Sequence, residues 1–280
     1  MLTNYLQSAQ ELLERVRELK PLVHHITNYV TVNDCANILL GAGASPVMAD
    51  EAAEVEEIVA ISGALVINIG TLNKRTIEAM FMAGKKANEL GIPVILDPVG
   101  AGASILRTET AKRLVSEIKF AVIRGNISEI KTIAGGGGIT RGVDADVTDA
   151  ISENNVAAVQ GLAAGLAAEL GSVIAITGAV DVISDGKVNY LIKNGHPMMA
   201  RVTGTGCMCS SLIGAFCGAN SNYTAAAAAA VMAMGLAGEK AYVRMETARL
   251  GNASFRNFIL DEINLMTGED LVKGGKISFE

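Results

Sequence analysis

The sequence predicts an α/β fold of three layers, a central and mostly parallel sheet with helices on both faces, and three observations carry that expectation. Ala64–Ile69, Pro93–Leu96, Phe120–Ile123 and Ser172–Ile176 are continuous apolar runs without period-two alternation, the pattern of strands covered on both sides. The first three lead into stretches where apolar residues recur at helical spacing, which is how parallel βαβ units are connected. Half of the 280 residues are hydrophobic, enough for a sizeable core. With no internal repeat and no shift in composition, residues 1–280 read as one domain.

Taken in order, Tyr5, Leu6, Ala9, Leu12, Leu13, Val16 and Leu19 form the apolar face of a first helix, which Pro21 stops. Leu22–Ile26 is a short strand with Thr27–Thr31 as its exit loop, and a helix from about Val32 to Leu40 closes on Gly41 and Gly43. Pro46–Met48 is a minimal strand. Asp50 and the glutamates at 51, 54, 56 and 57 then suit a helix start, where the peptide dipoles favour acidic side chains. Ala64–Ile69 ends in Gly70-Thr71 before a helix over Lys74–Leu90, and Pro93–Leu96 ends in Asp97-Pro98-Val99-Gly100 before a helix over Thr108–Ile118. Phe120–Ile123 ends in Arg124-Gly125-Asn126, with a short helix near Ser128. Gly135–Gly138 is a loop with no side chains to pack, and a helix over about Asn155–Leu170 precedes Ser172–Ile176 and its exit at Thr177-Gly178. Val180–Ser184 and Lys187–Ile192 flank Asp185-Gly186, a hairpin signal that breaks the parallel rhythm. Helices from about Thr205, Thr224 and Asn252 and an irregular tail complete the chain.

The formal charge of −6, with no basic block, disfavours nucleic acid and anionic membranes as partners. No apolar run approaches the roughly 20 residues of a spanning helix. Met1–Lys20 is polar or charged between its apolar residues, with charges from Glu11 onward, and lacks the apolar stretch of an export leader, so a cytoplasmic protein is expected. Cys35, Cys207, Cys209 and Cys217 show no paired C-x-x-C spacing, which argues against a disulfide framework or a zinc site.

The chemistry gathers at Arg201-Val-Thr-Gly-Thr-Gly-Cys207, a glycine turn that runs straight into an apolar helix. Gly204 and Gly206 permit positive φ and close approach by another group. The first turn of the helix offers unpaired N–H donors and the positive end of its dipole, so the turn is an anion site with phosphate as its commonest occupant. Cys207 sits where those donors converge, a position that lowers a thiol's pKa. No G-x-x-x-x-G-K-[ST] occurs, and Gly41-Ala-Gly43 and Gly100-Ala-Gly102 lack the third glycine of a dinucleotide fingerprint.

Open parallel sheets bind ligands beyond the carboxyl ends of their strands. Asn68, Gly70, Asp97, Arg124, Asn126 and Thr177 all lie at such ends, with Glu129 in the short helix beyond. A carboxylate pair, an arginine, a threonine and an anion hole make a coherent phosphoryl-transfer set. Carboxylates hold Mg²⁺ through water and phosphate, a cation clamps the phosphates, and the turn stabilises charge as it develops. Each member also has a plain structural reading: a cap for Asp97, a snorkelling surface arginine for Arg124, a solvated helix residue for Glu129, sharp corners for the glycines.

Val202-Thr-Gly-Thr-Gly-Cys207 resembles the G-T-G-D turn of ribokinase-like kinases, with cysteine in place of the base aspartate, as in the hydroxyethylthiazole kinase branch. His25-Ile-Thr-Asn28-Tyr-Val30, Gly43-Ala-Ser-Pro-Val-Met48, Ile95-Leu-Asp97-Pro-Val-Gly100, Arg124-Gly-Asn-Ile-Ser-Glu129 and Ile176-Thr177-Gly-Ala-Val-Asp181 are similar to that branch's motifs in order and spacing. The match runs from about Leu22 to the helix after Cys207. The resemblance implies a ribokinase-like fold and transfer of the ATP γ-phosphate, with Mg²⁺, to the primary alcohol of 4-methyl-5-(2-hydroxyethyl)thiazole in thiamin biosynthesis and salvage. It implies that Arg124 and Thr177 contact ATP, with Asn126 placed beside them, and that Asp97 and Glu129 serve Mg²⁺. Met48 and Gly204 would contact the thiazole, with Gly70 on the same side, while Gly204, Gly206 and Cys207 form the catalytic turn. The branch is typically a homotrimer with shared sites, so Asn28 and Val30 would face a ligand held with a neighbouring subunit. The first helix and the acidic helix after Glu51 are the apolar-faced elements assigned to that contact.

The acceptor alcohol is a poor acid and loses its proton late in a loose transition state, so positioning and charge stabilisation dominate. Cys207 is then a base as thiolate, a thiol that orients the hydroxyl, or a small packing residue. Cys209, Cys217, Met198, Met199, Met208 and Met232 read as packing, and His24 and His25 as structural. The alternatives are a kinase of another heterocyclic alcohol such as hydroxymethylpyrimidine, an ATP-dependent dehydratase on the same scaffold, and a non-catalytic thiazole or nucleotide binder. A cysteine hydrolase would need His196 to reach Cys207.

Overall fold

The computed structural model describes residues 2–135, 151 and 155–279. Of the glycine loop at 135–138, only Gly135 is therefore among the described residues. The strands are β1 (Leu22–Ile26), β2 (Ser45–Met48), β3 (Ala64–Asn68), β4 (Val94–Asp97), β5 (Val122–Gly125), β6 (Val173–Ile176), β7 (Asp181–Ser184), β8 (Asn189–Ile192) and β9 (Ile277–Phe279). They form one sheet in the order β2-β1-β3-β4-β5-β6-β7-β8-β9. Pairing is parallel from β2 to β6 and antiparallel from β6 to β9.

The helices are α1 (Leu2–Leu19), α2 (Val32–Ala42), α3 (Val55–Ala60), α4 (Lys74–Leu90), α5 (Ile105–Glu117), α6 (Ile127–Ile133), α7 (Val156–Leu170), α8 (Thr205–Ala219), α9 (Tyr223–Thr247), α10 (Asn252–Leu265) and α11 (Gly268–Gly274). Side chains alternate across the parallel strands and feed two cores. Val23, Ala64, Val66, Ile95 and Val122 join the core of α1, α2 and α8–α11. Ile26, Leu65, Ile67, Leu96 and Ile123 join that of α3–α7. This is the expected three-layer arrangement. In α8, Leu212, Ile213 and Phe216 are fully buried, each stabilising by about 1.5–3 kcal/mol relative to exposure. Among the described residues, no helix is long and apolar enough to cross a membrane.

Several boundaries differ from the sequence reading for local reasons. Ser104 Oγ accepts from the Arg107 backbone N–H, so α5 begins at Ile105 and not at Thr108. The acidic stretch opens its helix later than expected. Glu51 and Glu54 sit in a turn, Glu54 is the N-cap, and α3 starts at Val55 with Glu56 and Glu57 in its first turn and Val55 and Val59 as its buried face. The irregular tail is ordered by the Thr267–Asp270 capping box of α11, and β9 then pairs with β8 at the sheet edge. The first helix corrects a further expectation. Tyr5, Ala9, Leu12, Leu13 and Val16 all lie in the chain's own core, so among its described side chains the apolar face of α1 packs mainly within the chain. The same holds for Val55 and Val59 of α3.

Candidate active site

Strand parity explains why the polar strand ends converge. Ala64 and Val66 face the α8 layer, so Asn68, two residues on, faces it too. Asp97 follows Ile95 and Arg124 follows Val122 in the same parity, and Thr177 follows Ala175 just past β6. Asn68 and Asp97 are register partners across β3 and β4, and Arg124 pairs with Ala175 across β5 and β6. All four side chains therefore point toward the first turn of α8.

Asp97 lies at the centre and is fully buried. Its Oδ2 accepts from Ser210 Oγ at 2.8 Å and from Asn68 Nδ2 at 3.1 Å, and lies 3.7 Å from Arg124 Nη1. Among the described residues its Oδ1, like Arg124 Nε, is buried without a hydrogen-bond partner. Arg124 Nη2 donates to Thr177 Oγ1 at 2.5 Å. The guanidinium packs against the glycine turn: a Cβ at Gly206 would stand 2.6 Å from Nη1. Gly204 precedes α8 with φ of 93°, and a Cβ there would meet Thr31 Cγ2 at 2.8 Å. Both glycines are thus required, one by backbone conformation and one by the arginine.

Glu129 spans two strand exits. Its Oε1 accepts from the Gly100 N–H and its Oε2 from the Asn126 N–H, both at 2.8 Å. In return Asn126 Oδ1 accepts from the Glu129 N–H at 2.9 Å, so the oxygen of this predicted ATP contact is engaged as a helix cap. Burial, with a contribution from Asp97, pushes the Glu129 carboxyl up to about 7. Asp181, which accepts from the Gly178 N–H, is also pushed up to about 7, by burial. Burial raises Asp97 above the ordinary carboxylate range against the pull of Arg124, Ser210 and Asn68. For Arg124, burial opposes the charge, but Asp97 and its neighbours overcome it and hold the guanidinium protonated.

Cys207 corrects the expected lowered pKa. Burial, and then Asp97, push its thiol up, while hydrogen bonds from Thr31, Asn28 and Asn68 pull the other way. The start of α8 is desolvated, and desolvation outweighs donors and helix dipole. The sulfur accepts from Asn28 Nδ2 and Asn68 Nδ2, both at 3.3 Å.

Of the predicted substrate residues, Asn28 is brought to the cluster, whereas Gly70 serves it from behind. The Gly70 N–H donates to Asn68 Oδ1 at 2.9 Å and its carbonyl accepts from Arg107 Nη2 at 2.6 Å. Met48 is half-buried at the end of β2, and Val30 is 57% exposed. His25 Nε2 lies 2.9 Å from Ser211 Oγ, His24 Nε2 lies 2.8 Å from the Ala49 carbonyl, and burial pushes His25 down to about 4. His25 is satisfied at both ring nitrogens, as expected, whereas His24 Nδ1 is buried without a partner among the described residues. His196 accepts from the Met198 N–H and stacks on Tyr242 at 3.6 Å, contacts that leave Cys207 without the partner a hydrolase needs. Sequence reasoning noted Asn68 at a strand end without selecting it, and passed over Ser210. Three residues beyond Cys207, Ser210 shares its helix face.

A groove of about 560 Å³ lies at the opposite, amino end of the strands, between Pro93, Lys119, Ser172 and Tyr223. Its lining gathers no comparable set of ionisable groups, so chemistry places the site at the carboxyl edge.

Comparison with known proteins bears on what this edge does. The family model described as the hydroxyethylthiazole kinase family matches residues 13–269. The chain is 55% identical to hydroxyethylthiazole kinase of Clostridium acetobutylicum over 94% of this chain and 96% of that one. The solved structure of a hydroxyethylthiazole kinase protein from Pyrococcus horikoshii superposes with a TM-score of 0.86 at 38% identity, covering 98% of this chain and 99% of that chain. A ribokinase-like superfamily protein from Enterococcus faecalis shares the fold, with a TM-score of 0.62 at 13% identity over 95% of each chain.

Proposed function

The chain belongs to the hydroxyethylthiazole kinase family, and from that premise we propose how its own residues transfer the γ-phosphate of ATP to the primary alcohol of 4-methyl-5-(2-hydroxyethyl)thiazole, a step of thiamin biosynthesis and salvage. The observation that carries the reading is the meeting of Asp97, Arg124, Thr177 and the Gly204–Gly206 turn at the first turn of α8. Arg124 and Thr177 bind the polyphosphate. The N–H groups that open α8 face the transferring phosphoryl group and stabilise the charge it gains. The alcohol oxygen bonds to the γ-phosphorus as the bond to the ADP oxygen breaks, and the alcohol proton is released. Cys207 Sγ, held by two amides, lies beside that proton. With its pKa raised, the sulfur acts mainly as an orienting group for the hydroxyl.

Asp97 and Glu129 suit Mg²⁺. Asp97 Oδ1 is a buried carboxylate oxygen with no described partner, and Mg²⁺ commonly takes one or two carboxylates with water and phosphate. When bound, the ion neutralises charge on the β- and γ-phosphates. Glu129, with both oxygens accepting backbone N–H groups, would help Asp97 hold the ion. On the alcohol side, Met48 and Gly204 border the heterocycle.

The chain works as a homotrimer in this reading. Tyr29 and Val30 are 79% and 57% exposed beside the cluster. The Tyr29 N–H donates to Thr71 while Arg107 donates to Gly70, so exposed Ile105 and Leu106 flank the same turn. This apolar rim supports a site completed by a neighbouring subunit. ATP and free Mg²⁺ are reagents of the cytoplasm, where we place the protein.

A coupled ADP-release assay with Mg-ATP tests the function. Release dependent on the thiazole alcohol, and weaker with hydroxymethylpyrimidine, is expected. No alcohol-dependent release would leave a binding protein, and preference for the pyrimidine would reassign the substrate.

A further inference from the structure

Asn68 and Asn28 stand behind Cys207, and their orientation is fixed by their other partners. Asn28 Oδ1 accepts from the Thr31 N–H at 3.2 Å and from Thr31 Oγ1 at 3.1 Å, so its Nδ2 faces the site. That Nδ2 donates to Asn68 Oδ1 at 3.0 Å and to Cys207 Sγ at 3.3 Å. Asn68 Oδ1 also accepts from the Gly70 N–H at 2.9 Å, which turns Asn68 Nδ2 the other way, toward Asp97 Oδ2 at 3.1 Å and Cys207 Sγ at 3.3 Å. A flipped amide would set an oxygen against a carboxylate and lose the Gly70 donor, so the assignment is forced.

From this geometry we propose that Asn68 is a positioning residue for phosphoryl transfer: with Asn28 it holds the Cys207 sulfur by two N–H donors, and it ties that sulfur to Asp97. Thr31 Oγ1 spends its proton on Asn28 Oδ1, so the two amide N–H donors leave the sulfur one free direction. It carries the S–H bond in the thiol and a lone pair in the thiolate. Asn68 thus aims that direction at the alcohol and sets its distance from the carboxylate on the metal side. One side chain fixes the acceptor's hydroxyl and the phosphate's counter-charge in a single frame. Displacements of about 1 Å in such frames cost on the order of a hundredfold in rate.

The inference rests on the kinase reading, and the test separates the two. Asn68→Ala, Asn68→Asp, Cys207→Ala and the double variant Asn68→Ala/Cys207→Ala are made in the full chain, with folding checked by circular dichroism. Asn68→Ala is expected to lower kcat about ten- to a hundredfold while KM for ATP stays within about threefold. In the Cys207→Ala background the same change should cost less than about threefold, because its target is gone. An equal loss in both backgrounds, or no loss in either, overturns the proposal. A second readout needs no turnover. Asn68→Asp is isosteric and sets a carboxylate against the sulfur, so alkylation of Cys207 by iodoacetamide, followed by mass spectrometry, should slow several-fold at fixed pH. An unchanged rate also overturns the proposal. If the wild-type chain releases no alcohol-dependent ADP, the kinase reading fails on its own, and the alkylation comparison still judges the Asn68–Cys207 contact.

Discussion

Gly206→Ala isolates the contact between the anion turn and its arginine. Gly206 lies in the first turn of α8, and its φ is not among the positive values, so alanine suits the backbone and helix propensity favours it by about 1 kcal/mol. The added Cβ, however, would stand 2.6 Å from Arg124 Nη1, 3.0 Å from Nη2 and 3.2 Å from Cζ. The guanidinium must retreat by about 1 Å to reach ordinary contact distance. That movement stretches its 2.5 Å hydrogen bond to Thr177 and its 3.7 Å approach to Asp97. Hydrogen bonds to charged groups contribute about 1.5–3 kcal/mol. With the propensity gain offsetting part of the loss, stability should stay nearly level and the melting temperature within about 4 °C. Transition-state stabilisation has no such offset, so kcat/KM for ATP should fall about 10- to 100-fold. Steady-state kinetics on Gly206→Ala, Arg124→Lys and their combination decide the matter. Lysine lacks the planar fork, so in the Arg124→Lys background the alanine should cost less than about twofold. Wild-type kinetics in the single variant, or the same loss in both backgrounds, would refute the assignment of Gly206 to Arg124.

Cys207→Ala should depress kcat by about a hundredfold with KM for ATP changed only a few-fold; unchanged turnover would reduce Cys207 to a packing residue. Cys207→Asp puts a carboxylate base at the turn and should keep or exceed wild-type turnover, so a folded but inactive variant would count against a base at this position. Asp97→Asn leaves Arg124 as a buried, unpaired charge and should lower stability by about 3–5 kcal/mol and raise the Mg²⁺ concentration for half-maximal rate, read from thermal melts and a metal titration. Asp181 predicts a pH effect of definite sign. Its pKa rises from 3.8 to about 7 on folding because burial disfavours the charge. The stability it lends is therefore full below pH 3.8 and lost as pH rises through about 7, an upper bound of roughly 4 kcal/mol. Asp181→Asn should remove that loss, so melts of variant and wild type should diverge as pH rises from about 4 to about 7 and run parallel above it; curves that stay parallel across that window would contradict the assignment.

The fold was legible where local pattern decides it. Continuous apolar runs marked the parallel strands, Asp185-Gly186 marked the hairpin, and both were found at the expected places. The tail was not legible, because Ile277–Phe279 is too short to signal a strand and gains one only from β8, far away in sequence. The site was legible to the extent that strand ends collect polar residues. Parity went further than was used. Asn68, Asp97 and Arg124 share a face because each lies two residues beyond an inward apolar residue, a signal that was available for Asn68. The environment of Cys207 was not legible. Its helix start suggested an activated thiol, whereas burial beside Asp97 produces the opposite shift. Desolvation belongs to the assembled layers and to no single stretch of chain. The first helix failed for the same reason, since an amphipathic pattern cannot say whether its partner is the chain itself or another subunit.

The charges around Arg124 give a physical reason for a cysteine at this turn. Asp97, Glu129 and Asp181 are all buried near the Arg124 guanidinium, and burial raises the pKa of each. Without ligands the cluster already holds more acid groups than it can ionise cheaply. An aspartate at position 207 would add a fourth at the same desolvated turn, close enough for the charges of 97 and 207 to raise each other. A thiol occupies that place without charge, accepts the two amide donors and leaves the anion turn free for phosphate. In a loose transition state the alcohol proton leaves late, so a neutral orienting group in place of a base sacrifices little. Cys207→Asp should therefore show two opposite effects, turnover at least equal to wild type and a lower melting temperature at neutral pH. The deficit should shrink as pH falls toward 5, where the added carboxylate takes up a proton.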